Sequence, residues 1–410
     1  MPEIPALRSA GSVLILSIAW YIGLHLILSY PVSPAFMFDA ADATEYRQVS
    51  QWILHGTETN GTIVRPYLYP LLIGIAHGIG GVTAIWIMQA MAWLLSILLV
   101  HHAVLVISRS KVLAWSAALL LLTNLSFFAL TYHALTEVLT VLGLSTLSAH
   151  VLIRSQTFRS PKYHAINLVL LSLLSLLKPV FFPLIPIYLF VIAVVLIRWK
   201  IFDRRLILIP LALLPLIPQF GIMMHRHDHF GISRIGPHTL KYYLFARGYS
   251  EINGISMENA YNEIEEFTDT EVHHYMMERP TEFFQVYLNN MYENLFMSTI
   301  ALAPEYDRRE ALLIMDRLNK LYCLLHLLFM LICPFAIISL LRTRRSSMAF
   351  AVAMIYGIST YLLLTSGISS WQGDRLILPA MAAWSILYPI VLFRLIPKND
   401  LLFTAMRSLS

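Results

Sequence analysis

Apolar runs of about 18 or more residues recur along the whole chain, and a helix of that length, rising 1.5 Å per residue, covers a roughly 30 Å hydrocarbon core. Lipid offers backbone N–H and C=O groups no partners, so such runs must become helices. They predict spans at 11–30, 82–107, 112–129, 134–153, 164–178, 180–198, 206–224, 318–341, 348–366 and 376–394. The fold class is therefore an all-α polytopic membrane protein with about ten transmembrane helices. The run at 66–80 is apolar but short, so it is read as an interfacial helix rather than a span. The first run is too long and too weakly basic at its start for a cleaved signal peptide, in spite of "SPA" at 33–35, and is read as an uncleaved helix. With 58% hydrophobic and 13% charged residues and a mean hydropathy of +0.66, a water-soluble globule is excluded. The net charge of +5 needs no nucleic-acid partner.

Short loops at every second turn are basic: Arg8; Arg109 and Lys111; Arg154, Arg159 and Lys162; Arg198, Lys200, Arg204 and Arg205; Arg342, Arg344 and Arg345; Arg394, Lys398 and Arg407. Positive-inside bias puts these loops and both termini in the cytoplasm, as in a bacterial inner membrane. Two long segments then lie outside, 31–81 and 225–317, and any chemistry belongs on that face. No fixed-period repeat divides the chain, so residues 1–410 read as one membrane domain. Cys323 and Cys333 lie ten residues apart on one apolar helix, roughly 15 Å, beyond disulfide reach, and read as packing or lipid-facing residues.

Within the first outer segment, "FDAADATEYRQ" at 38–48 has a helical pattern that places Asp39, Asp42 and Tyr46 on one face with Glu45 beside it. A turn comes next, and Arg65 opens a Pro-aromatic stretch directed back toward the membrane. A solvated amphipathic loop helix has the same pattern. A carboxylate beside an interfacial cation also suits a reaction in which a hydroxyl is deprotonated while a phosphate leaves.

"DATEY", a following Gly and then "RPYLYPLLIGI" resemble the first extracytoplasmic loop of the GT-C glycosyltransferases, in particular the family-39-like enzymes that use dolichyl- or polyprenyl-phosphate sugars. "TYHALTEVLTVLGLSTL" at 131–147 is similar to that family's acidic residue at a helix head. "LLSLLKPVFFPLIPI" at 173–187 is similar to its basic-Pro junction, and "GDRLILPAMAAWSIL" at 373–387 to its late Arg-aromatic-Pro segment. The resemblance spans about 30–395. The chain departs from it in spacing Asp39 and Asp42 three apart, in Leu376 where an aromatic is frequent, and in lacking a large soluble carboxy-terminal domain.

The resemblance implies a GT-C fold and an inverting sugar transfer from a polyprenyl-phosphate donor to an acceptor hydroxyl of a lipid, glycan or protein, outside the cytoplasm. Asp42 is then the expected general base, with Asp39 or Glu137 as its partner and Tyr46 shaping the site. Arg65, Lys178 and Arg375 fall at the outer membrane boundary, where the donor phosphate must present itself. Each charge alone also fits a snorkelling anchor, and Glu137 a helix-start carboxylate. The runner-up is a lipid or lipid-linked-sugar transporter, which the one-sided clustering of charge and the absence of repeats disfavour.

In the second outer segment, "HRHDHF" offers His225, His227 and His229 as ligands for a divalent metal such as Mg or Mn, with Glu137 as a further candidate. Wetting of a helix exit is the simpler account. Arg234, His238, Lys241, Tyr242 and Tyr243 form an aromatic and basic mix suited to a sugar-phosphate surface. Residues 256–285 read as one or two polar amphipathic helices, a lid or acceptor platform whose acids form a solvated face.

Overall fold

A computed structural model describes residues 4–201, 203–296, 309–342 and 346–395. Among the described residues every regular element is helical and no strand occurs. Among the described residues six helices are long and apolar enough to cross a membrane: Ser9–Leu28, Leu68–Ser108, Pro179–Arg198, Arg204–His227, Lys320–Arg342 and Ser346–Ser366. The chain is an all-α multi-pass membrane protein.

The ten expected spans map onto this set unevenly. The segment at 112–129 is a bent pair, Lys111–Leu122 and Leu125–Tyr132, turning by 58°. Ser110 caps the first helix through the N–H of Leu113, and Asn124 caps the next through that of Phe127, so the chain restarts after Thr123 instead of running on. The segments at 134–153, 164–178 and 376–394 are the helices Glu137–Ile153, Pro161–Leu177 and Leu378–Leu395, whose apolar stretches fall short of a full span by length. At 17 residues, the first two extend only about 25 Å each.

These short helices lie at the centre. The core joins Leu144, Val141, Leu168, Leu171, Ile386 and Trp384 from them to Trp93 and Ile97 of Leu68–Ser108 and to Leu121 of Lys111–Leu122. Cys323 and Cys333 are both buried, so packing rather than lipid contact is their lot. Residues 66–80 and the next span form one helical run, Leu68–Ser108, broken where Gly80 and Gly81 leave helical torsions. Gly81, at φ 63° and ψ −150°, holds a conformation essentially reserved for glycine.

Beyond the bundle, residues 235–296 fold into a small helical unit. Its own core is Phe245, Ile264, Val272 and Phe283, with Tyr249, Phe267 and Tyr275 packed around it. Residues 256–285, expected as one or two helices, form three pieces: Met257–Ile264, Asp269–Glu278 and the start of Pro280–Phe296. A capping box between Thr268 and Glu271 begins the second, and Pro280 opens the third, where its missing N–H costs nothing. Residues 297–308 of the long segment expected outside, and Arg344, Arg345, Lys398 and Arg407 of the basic clusters, lie outside the described residues.

Candidate functional site

The helix carrying the acidic motif runs Ala41–His55, with Asp42 in its first turn and Gly56 closing it in the left-handed region. Asp39 therefore precedes the helix and does not share a helical face with Asp42 and Tyr46. It is exposed, and its charge is felt by His133. Asp42 and Tyr46 do share a face, and Tyr46 is buried with its ring edge-on to Tyr69 at 4.8 Å.

Arg65 reaches this face from a short 3-10 turn, Gly61–Ile63. The turn sits tightly against the acidic helix, since a Cβ on Gly61 would lie 2.9 Å from Val49. Its far side is tied by Ser233 Oγ donating to Val64 O at 2.7 Å and by the amide of Arg234 donating to Ile63 O at 2.8 Å. So braced, the Arg65 guanidinium donates through Nη2 to Asp42 Oδ1 at 2.5 Å and through Nε to Glu45 Oε2 at 2.6 Å, while lying 5.0 Å from the Tyr46 ring centre. Glu45 is thus the second acid at Arg65, not merely a flank.

Arg375 arrives from the other end of the chain, in the 3-10 turn Gly373–Leu376 ahead of the last helix. Its Nη2 donates to Asp42 Oδ2 at 2.8 Å and to the side-chain oxygen of Gln372. Burial pushes the Asp42 carboxyl up, but Arg375 and Arg65 outweigh it and bring the pKa down from 3.8 to about 2. Asp42 is therefore an ionised acceptor with a guanidinium on each oxygen. Tyr46 is pushed up to about 12, by burial first and with Arg65 opposing.

Beside this cluster, Lys178 Nζ donates to Glu137 Oε1 at 3.1 Å across two largely buried side chains. Glu137 acts electrostatically on both Arg375 and Tyr46, so the two groups of charge share one field. The placement comes from the short central helices: Glu137 begins one, Lys178 stands just past the end of the second, and Arg375 precedes the third. A helix that stops early carries its terminal charge down toward the core.

His133, just ahead of the Glu137 helix, is buried, and Asp39, Arg375 and Glu137 all act on it electrostatically. Its backbone oxygen accepts from Gln89 Nε2 at 3.1 Å, and burial lowers its imidazole to about 4. Tyr243, expected only as part of an aromatic and basic surface, comes to the centre of the site. It sits on a π-helical turn, Leu240–Phe245, where burial raises its hydroxyl and Asp42, Arg375 and Arg65 all act on it. The proximity of π turns to functional sites is general, but nothing in the local sequence announces one.

His238 faces the same cluster, with Glu45, Arg65 and Asp42 among the charges that act on it. Arg234 and Lys241 do not join it. Arg234 pairs with Asp269 at 3.6 Å, and Lys241 Nζ donates to Phe267 O at 2.6 Å and Glu265 O at 3.2 Å, so both serve the outer helical unit. His225, His227 and His229 are not gathered either. His227 Nε2 bonds Thr62 Oγ1 at 2.8 Å, and Glu137 is engaged with Lys178. Among the described residues no three His, Cys, Asp or Glu side chains are placed to hold a metal ion.

The assembled site is an anion flanked by two cations at one end of a membrane bundle, with a second buried ion pair in the same field. It can accept a proton once a guanidinium is drawn away, and it can bind an anion that competes for the guanidiniums. Comparison with protein-family models, with curated proteins and with solved structures gives no match in any of the three.

Proposed function

We propose that the chain is a GT-C-type membrane glycosyltransferase that moves a sugar from a polyprenyl-phosphate donor to an acceptor hydroxyl on the extracytoplasmic face. In this reading the bent pair and the three short helices complete ten spans, and both termini are cytoplasmic. The observation that supports it is the convergence of Arg65 and Arg375 on Asp42, a base and two phosphate-binding groups in one cluster.

At rest Asp42 is a poor base, because both oxygens carry a guanidinium and its pKa lies near 2. A donor phosphate entering the cluster competes for Arg65 and Arg375, which bind phosphate by the same fork geometry they present to a carboxylate. Asp42, relieved of them, regains proton affinity. It then takes the acceptor O–H proton as that oxygen forms a bond to the anomeric carbon. The bond from that carbon to the lipid phosphate breaks, the phosphate keeps the electron pair, and a single displacement inverts configuration. Tyr46 and His238 line this space, and the Lys178–Glu137 pair lies beside it.

The test is incubation of the purified protein in lipid nanodiscs with a panel of radiolabelled polyprenyl-phosphate sugars and an acceptor extract. The expected result is release of label from one donor by the natural protein, and donor binding without turnover by Asp42→Asn. If no donor in the panel is consumed or bound, the enzyme reading fails. Passage of an intact donor across vesicles would instead support a transporter.

A further inference from the structure

The loop that presents Arg375 is held by a helix of the outer unit. Tyr287, Asn290 and Asn294 are spaced i, i+3, i+7 on the Pro280–Phe296 helix and share a face. Tyr287 Oη donates to Leu364 O at 2.5 Å, and Asn290 Nδ2 donates to Gly367 O at 3.1 Å. Asn294 spends its whole amide on the loop: Nδ2 donates to Ser366 O at 2.8 Å and to Ser369 O at 2.5 Å, and Oδ1 accepts from the amide of Gln372 at 3.0 Å. Both asparagines are fully buried. The fit is close, since a Cβ on Gly367 would lie 2.6 Å from the Tyr287 ring.

The backbone just beyond Ser370 makes this grip necessary. Trp371 and Gly373 both have positive φ, 54° and 62°, on either side of Gln372. For a bulky aromatic that conformation is unfavourable and persists only where surroundings impose it. The Trp371 ring lies 5.2 Å from the Arg247 guanidinium, which also donates to Asn290 Oδ1 at 2.8 Å and holds Glu293 through two bonds. From Gln372 the path continues directly into the site, because its side-chain oxygen accepts from the same Arg375 Nη2 that binds Asp42.

We infer that Asn294 is a positioning residue for Arg375, and that through it the outer helical unit sets where this guanidinium meets the anion. The inference rests on the reading that Arg375 takes the donor phosphate. It gives the segment at 280–296 a task other than that of a lid. The Arg375 guanidinium is correctly aimed only while the unit's asparagine face is seated on residues 364–372.

The experiment uses the full chain in nanodiscs with polyprenyl monophosphate as the probe, and reads hydrogen exchange across 364–376 alongside the Kd. Asn294→Ala is expected to raise exchange at 369–376 without changing it in the central helices, and to weaken the probe about tenfold, the effect of one charge-assisted hydrogen bond from a misplaced Arg375. In an Arg375→Ala background it should weaken the probe no further. Unchanged exchange at 369–376 overturns the inference, and so does an equal loss of affinity in both backgrounds, which marks a general structural effect. If natural protein and Arg375→Ala bind the probe equally, the phosphate reading itself is overturned and the inference with it, while the exchange data still register whether the grip exists. Should Asn294→Ala fail to fold, Gln372→Ala removes the loop's own acceptor for Arg375, leaving Asp42 and the buried Asn294 amide in place. It is expected to show the same tenfold loss and the same lack of effect on Arg375→Ala.

Discussion

Asp42 and Arg375 are 333 residues apart in the chain and form a 2.8 Å ion pair in the fold. Arg65 occupies the other oxygen of the same carboxylate, so one anion balances two cations whose side chains are only 13% and 10% exposed. Loss of either arginine leaves Asp42 still paired, whereas loss of Asp42 leaves two mostly buried cations with the more exposed Glu45 at Arg65 and the field of Glu137 at Arg375 for compensation. Asp42→Ala is accordingly expected to destabilise the protein by about 3–5 kcal/mol, and Arg375→Met by about 1–3 kcal/mol. Unfolding by SDS titration in mixed micelles checks the order. Equal losses would contradict the shared-carboxylate arrangement.

The site has two pH windows. Asp42 has its pKa lowered from 3.8 to about 2, so its contribution is complete above pH 4 and is lost as pH falls toward 2. His133 is lowered from 6.5 to about 4 by burial, so the unfolded chain takes up its proton first and stability falls as pH drops from 6.5 toward 4. The histidine window corresponds to roughly 3 kcal/mol. Melting temperature against pH should decline below 6.5 in the natural protein, and His133→Gln should flatten the curve between 6.5 and 4. An unaltered slope in that variant would place the titrating group elsewhere.

Lys178 and Glu137 are 15% and 5% exposed at the side chain and pair at 3.1 Å. Breaking so buried a pair strands a charge, and Lys178→Met is expected to cost about 3–5 kcal/mol. Adding Glu137→Gln removes the stranded carboxylate and should recover most of the loss. A double-mutant cycle measures it, and additive losses would show that the two side chains do not depend on each other.

Gly81 permits a test of the break between the Leu68 helical segment and the span beyond it. No atom lies within 4 Å of a Cβ built there, so the cost of Gly81→Ala comes from its torsions alone, about 1–3 kcal/mol. Gly78 has equally open surroundings but ordinary helical torsions, and Gly78→Ala should be stabilising by up to about 1 kcal/mol. Matching responses from the two variants would argue that the break is not imposed by Gly81.

Much is legible in the sequence because lipid allows the chain few solutions. The apolar runs specify helices, since a backbone in lipid must satisfy itself within its own segment. Each of the ten expected segments is helical, although only six are long enough to stand as spans by themselves. The pairing of Asp42 with Tyr46 on one face is local, a matter of helical period.

Asp39 is misplaced by that same period for an equally local reason: periodicity does not reveal where a helix begins, and this one starts at Ala41. Only the tertiary structure decided that Arg65 and Arg375 share one carboxylate, that Glu137 is committed to Lys178, and that Arg234 and Lys241 turn to the outer unit instead. Ion pairing depends on distance in space, and no pattern within a single segment encodes the approach of residues hundreds of positions apart. His133 and Tyr243 came to the site by the same route, brought in by packing.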